Sequence, residues 1–147
     1  MALIENKKVR LEYEILETYA AGAELFGHEV KAVRNGMGSL EGARIMVRGG
    51  EAFLAGATIA PFQVKNTPDS YDPERTRRLL LNKKEITVLA EYESKKGLTV
   101  VPIKWYNANR KLKLEVAVVR HKKKYDKRQT LKERDTKRQI ERTLKNQ

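Results

Sequence analysis

The apolar residues recur with changing period along the chain, and the changes mark the elements. Between Leu11 and Phe26, Tyr13 and Ile15 alternate with Glu12 and Glu14, which predicts a half-buried strand. After Gly27 the spacing becomes three: Val30 and Val33 form one edge of a short helix, and Lys31 and Arg34 form another, solvent-facing edge. Asn35-Gly36 and Gly38 stop it, because glycine accepts the left-handed backbone that ends helices. Ala43 to Ala60 reads as a hairpin folded about Gly49-Gly50. That fold sets Arg48 against Glu51, Val47 against Ala52, Met46 against Phe53 and Ile45 against Leu54.

Pro61 to Tyr71 is polar and predicts a loop. Asp72-Pro73-Glu74 resembles a capped helix start, so a long helix is expected from there to about Lys96, ended by Gly97. Leu98 to Val119 predicts a second strand pair joined at Asn107 to Arg110. Val101, Ile103 and Trp105 would share one face of its first strand, with Pro102 at an edge or bulge. Leu112, Leu114, Val116 and Val118 would share one face of its second. The expected architecture is mainly β with added helices: an antiparallel barrel of the oligonucleotide-binding type over residues 1–120. Residues 121–147 form a basic C-terminal tail with few aliphatic anchors (Leu131, Ile140, Leu144), expected to be disordered or frayed until it meets RNA.

Charge sharpens this picture. The 147 residues carry a formal net charge of +12. From His121 to Gln147 there are 11 Lys and Arg against 4 Asp and Glu, more than half of the excess in under a fifth of the chain. Such a field attracts polyanions without reading sequence, and nucleic acid fits it better than an anionic membrane. The chain has no cysteine, which excludes disulfides, thiolate metal sites and a cysteine nucleophile. No apolar run approaches the roughly 20 residues that span a bilayer, and Met1 to Arg10 lacks the apolar core of a secretory signal. A soluble, cytoplasmic protein without metal or cofactor is expected. His28 and His121 are the only histidines, and nothing in the sequence brings them together as an acid–base pair, so an enzyme is not expected.

Four stretches in order resemble one family, the SsrA-binding proteins (small protein B): Gly27 to Leu40 (GHEVKAVRNGMGSL), Asp72 to Ile86 (DPERTRRLLLNKKEI), Gly97 to Tyr106 (GLTVVPIKWY) and Lys124 to Asp135 (KYDKRQTLKERD). Asn6-Lys7-Lys8 is similar to the family's N-terminal Asn-Lys-Lys. The chain departs from the pattern at Leu11-Glu12-Tyr13 and Arg120-His121. The resemblance implies a protein that binds the tRNA-like domain of transfer-messenger RNA and acts in ribosome rescue. Its tail would enter the empty mRNA channel near the decoding centre of the small subunit. One protein per RNA is expected. A generic single-stranded RNA binder or ribosomal protein with the same barrel is the alternative.

Four groups of residues would carry the RNA contacts. Lys31 and Arg34 can hold phosphates while Glu29 accepts from base or sugar groups, unless Glu29 only pairs with a nearby cation. Asn6, Lys7 and Lys8 read as a phosphate-and-base clamp. Arg75, Arg77 and Arg78 would crowd the start of the long helix, where cations oppose the helix dipole and an anion would relieve them. In the tail, Tyr125-Asp126-Lys127-Arg128 sets an aromatic beside cations, a pattern that stacks an unpaired base while holding phosphate. The resemblance places Tyr125 against a decoding base. Lys132, Arg134, Lys137, Arg138 and Arg142 would line the channel, and Ile140 would form a small apolar patch with Leu144.

Overall fold

The computed structural model describes residues 2–63, 65 and 67–122. In chain order the elements are β1 (Ala2–Glu5), α1 (Lys7–Glu12), β2 (Tyr13–Ala23), α2 (Gly27–Arg34), β3 (Gly38–Ser39), β4 (Arg44–Arg48), β5 (Glu51–Ala55), β6 (Thr58–Ile59), β7 (Arg77–Leu80), α3 (Lys83–Ser94), β8 (Leu98–Ala108) and β9 (Lys111–His121). Seven strands make one antiparallel sheet in the order β1-β8-β9-β2-β7-β5-β4, and β3 pairs with β6 separately. The sheet curls, so that β4 lies against β8 and α3 packs beside both. Its two end strands, β1 and β4, are not hydrogen-bonded to each other. The β4 edge is covered instead: Val47 N–H donates to Glu93 Oε2 at 2.9 Å and Arg48 pairs with Glu93 Oε1 at 2.8 Å. A carboxylate on an edge amide blocks further strand addition.

The β4–β5 hairpin has the expected register, residue for residue. Gly49 and Gly50 adopt φ of +60° and +75°, which only glycine accepts without strain. The strand pair β8–β9 is also as expected, and Leu114, Val116 and Val118 line the main core.

The face expected for Val101, Ile103 and Trp105 is corrected. The β8–β9 register slips between Pro102 and Lys104. One extra residue reverses which side chains point inward. Val100 and Trp105 therefore face the main core, Trp105 at 1% exposure. Val101 and Ile103 face the other side, where they pack with Ala117, Val119 and Val9 of α1. A second slip, between Ile15 and Glu17, does the same to β2. Tyr13 and Ile15 join the small cluster beneath α1, while Tyr19 and Ala21 join the large one. Two one-residue bulges thus give one sheet two cores.

The long helix from Asp72 is also corrected. Asp72-Pro73-Glu74 is a turn: Glu74 N–H donates to Asp72 Oδ1 at 2.9 Å and Arg75 N–H to the Asp72 carbonyl at 3.1 Å. The chain then enters β7, where Arg77 and Leu79 are buried and Arg78 and Leu80 exposed. The period of two is hidden in the sequence because its first inward residue is an arginine. The helix begins only after Asn82. The Asn82 side chain accepts from Glu85 N–H at 2.8 Å, and Glu85 Oε1 accepts from Asn82 N–H at 3.3 Å. Arg75, Arg77 and Arg78 are therefore not on a helix, and the dipole argument for them lapses. The short elements β1, α1 and β3 fall in segments for which the pattern predicts no regular structure. The hairpin expected to run to Ala60 stops at Ala55, its last residues forming β6, which pairs with β3 instead of β4.

The β3–β6 pair leaves no room at Gly38, where an added Cβ would sit 2.5 Å from the Thr58 carbonyl oxygen. Gly38→Ala must push β3 from β6 and is expected to cost about 1–3 kcal/mol. Urea unfolding of the full chain measures this, and a loss under about 0.5 kcal/mol would contradict the close approach.

Candidate nucleic-acid interface

Helix α2 is organised from its first turn. Glu29, the third helical residue, reaches back so that its Oε1 accepts the Phe26 N–H at 2.8 Å. Ala32 and Val33 are buried, while Lys31 and Arg34 are exposed, as expected. Arg34 Nη2 donates to the Arg110 carbonyl at 3.1 Å, which ties the end of α2 to the β8–β9 turn.

Glu29 is not at the surface. Its side chain is fully buried, and so is that of Arg77. Arg77 donates to Glu29 Oε2 from Nε at 3.0 Å and from Nη2 at 2.8 Å. Its remaining donors reach the carbonyls of Ala57, Arg75 and Pro73 at 2.9–3.0 Å. Arg75 binds the same carboxylate, with Nη2 on Oε1 and Nε 3.2 Å from Oε2. The Tyr71 hydroxyl lies 2.9 Å from Glu29 Oε2 and 2.8 Å from the Ile59 carbonyl, so its single proton serves one of them. Burial alone would raise the Glu29 pKa. The hydrogen bonds from Arg75, Phe26 N–H and Arg77 outweigh it and hold the carboxyl at about 2, against an ordinary 4.5.

Both Glu29 carboxylate oxygens already hold protein donors, so this structure presents neither of them to a base or sugar. The partners are not intrahelical either: they come from β7 and the loop before it. The position carried a readable signal, since an acid three residues into a helix is where a carboxylate caps it. One carboxylate between two guanidiniums leaves the cluster positive. Arg75 delivers that charge outward, with its guanidinium 4.2 Å from the ring centroid of Phe26, which is 54% exposed. His28 lies between the two rings, stacked on Phe26 at 5.6 Å and edge-on to Tyr71 at 4.7 Å, and its Nδ1 is buried without a hydrogen-bond partner. Phe26 and Tyr71 were not expected at the site.

The N-terminal group divides in the same way. Asn6 is buried: its Nδ2 donates to the Leu40 and Pro102 carbonyls at 3.2 and 3.1 Å. It fastens the entry of α1 to the β8 bulge. Lys7 and Lys8 are exposed on α1, and Lys8 pairs with Glu41, whose hydrogen bond raises the lysine pKa. Arg78 is exposed but paired with Glu24 at 2.7 Å and Glu51 at 3.2 Å. These are surface pairs of small energy, which a phosphate can displace. Tyr125, Asp126, Lys127, Arg128, Lys132, Arg134, Lys137, Arg138 and Ile140 lie outside the described residues. Among the described residues no group of three or more His, Asp or Glu is placed to hold a metal, and no helix is long and apolar enough to cross a membrane. His121 contacts Tyr13 at 4.4 Å, in a different aromatic pair from that of His28.

The exposed cations of α1 and α2, with half-buried Arg75 beside them on an antiparallel β body, are an arrangement suited to RNA. The family model described as SmpB protein matches residues 3–146. This chain belongs to the SmpB family. Among SmpB relatives, the SsrA-binding protein of Chlorobaculum tepidum is 48% identical over 97% of this chain and 90% of its own length. That of Gloeobacter violaceus is 46% identical over 97% and 93%. A solved chain described as "tmRNA-SmpB: a journey to the center of the bacterial ribosome" superposes with a TM-score of 0.68 at 38% identity, covering 86% of this chain and 92% of that one. The fold is thus that of SmpB, an oligonucleotide-binding-like antiparallel body.

The buried pair gives the SmpB body an acid-sensitive point. Above pH 4.5 Glu29 is ionised both folded and unfolded, and its stabilisation is complete. As pH falls from 4.5 towards 2 the unfolded chain takes up the proton first, so stability falls, by an amount on the order of 3 kcal/mol. Glu29→Gln would leave Arg77 buried without its counter-charge and is expected to cost about 3–5 kcal/mol at pH 7. It should also flatten the loss between pH 4.5 and 2. Urea titrations at both ends of that range test this. A variant that loses under about 1 kcal/mol and keeps the acid limb would refute it.

Proposed function

We propose that this chain is the protein partner of transfer-messenger RNA in trans-translation: it binds that RNA and brings it to stalled ribosomes. The observation that carries the reading is the family match across residues 3–146, together with relatives of about 45% identity or more that are named SsrA-binding protein. The partners follow from the same names and from the solved tmRNA–SmpB ribosomal structure: transfer-messenger RNA and the ribosome.

The body, residues 1–120, selects the RNA. Lys7, Lys31 and Arg34 offer exposed cations for phosphate, half-buried Arg75 adds the outer edge of a guanidinium that Glu29 holds, and Lys8 and Arg78 join them by exchanging a carboxylate for one. Glu29, Arg77 and Asn6 act from behind, holding α2, the Arg75 loop and α1 in place. No step requires chemistry on a covalent bond; the work is binding and delivery, and it belongs in the cytoplasm. The tail, 121–147, engages the ribosome, with Tyr125 stacking on a base near the decoding centre and Lys127, Arg128, Lys132, Arg134, Lys137 and Arg138 along the mRNA channel. Asp126 and Ile140 complete that surface.

The protein is expected to bind transfer-messenger RNA far more tightly than a tRNA at one fixed salt concentration. A gel shift that finds equal affinities would point instead to generic RNA binding. Removal of 122–147 is expected to leave that affinity within about threefold, since the cations assigned to this RNA lie in residues 1–120, and to abolish peptide tagging on stalled ribosomes. Tagging that survives the truncation would refute the role of the tail.

A further inference from the structure

The β8–β9 connection is a two-residue turn, Asn109-Arg110, with Ala108 paired to Lys111 across it. Both turn residues have positive φ, +50° and +67°. A turn of this kind favours Asn-Gly, because asparagine tolerates the left-handed region and glycine has no Cβ to clash. Asn109 meets the first preference. Arg110 violates the second, for it is a Cβ-bearing residue in a glycine conformation. Apart from these two, every described residue with such a φ is a glycine: Gly36, Gly42, Gly49, Gly50, Gly56 and Gly97. Folding alone gives no reason for an arginine here.

Its placement does. The bond from Arg34 Nη2 to the Arg110 carbonyl fixes the turn beside the end of α2. Lys31, Arg34, Arg110 and Lys111 are all exposed, and among the described residues none forms an ion pair with an acid. Lys8, Arg48, Arg75, Arg77, Arg78, Lys104 and Arg120 each have a carboxylate partner, whereas other described cations such as Lys7, Arg44, Lys83 and Lys84 also pair with no acid; what sets these four apart is the Arg34–Arg110 bond that joins their two elements. Four uncompensated cations on two joined elements raise a local positive potential that a polyanion relieves. A guanidinium also matches phosphate geometry in a way that a bare turn does not.

We propose that Arg110, with Lys111, extends Lys31 and Arg34 into one phosphate-binding strip for RNA that runs from α2 onto the β8–β9 turn. Arg110 is held there for its charge, against the conformational preference of its own turn. The inference rests on the reading that the chain binds transfer-messenger RNA, and it adds two residues that neither the sequence pattern nor the resemblance singled out.

Three full-length variants test it, with affinity for transfer-messenger RNA measured across a salt series and thermal unfolding beside it. Arg110→Gly should melt no lower than the parent, yet bind several-fold more weakly, with the slope of log affinity against log salt reduced by about 1. Arg110→Ala should lose the same slope without any gain in melting temperature, and Arg110→Lys should keep the slope. Arg110→Gly with parental affinity and slope would overturn the strip. If the parent itself shows no preferential, salt-dependent binding of this RNA, the functional reading fails first, and the strip with it.

Discussion

The ion pair of Glu29 with Arg77 is the constraint around which the α2 side of the body is arranged. Both side chains are fully buried, so neither charge is tolerable without the other. Their bonds tie together four pieces of chain that are distant in sequence: the start of α2, the Tyr71 loop, the Ala57 segment and β7. A charged pair also costs desolvation, which an apolar pair would avoid. What it adds is direction, because a guanidinium between carboxylate and carbonyls admits one geometry, whereas leucines admit several.

The two bulges serve a similar end on the other side of the sheet. A regular β8 would send Val101, Ile103 and Trp105 to the same face. The slip after Pro102 divides them, filling the main core with Trp105 and leaving Val101 and Ile103 to seat α1 through Val9. Asn6 then bonds the Pro102 carbonyl beside the bulge, so the helix that presents Lys7 and Lys8 is positioned by the irregularity itself. The buried residues set where the exposed cations point.

Much of this was legible in the residues. The hairpin register about Gly49-Gly50, the inward face of β9, the short α2 with its solvent-facing Lys31 and Arg34, and the basic tail all follow from local pattern. The family resemblance follows from motifs that the pattern locates. The misread parts share one cause. Asp72-Pro73-Glu74 has the composition of a helix start, and only the partner strands β2 and β5 on either side of β7 make the following residues extended. Glu29 and Arg77 look like surface residues because charge usually means exposure.

The sequence by itself determined the class of the protein: a β body with helices, a polyanion partner, and a family. These depend on composition, local periodicity and motif order, which survive without knowledge of distant contacts. Tertiary structure alone decided which charged residues are available. Glu29 and Arg77 are 48 residues apart in the chain and bonded in the fold, and Arg34 and Arg110 are 76 apart and also bonded. A buried charge is stable only when its partner is present. An exposed cation on a strained turn stands out only when the backbone angle and its neighbour are both known.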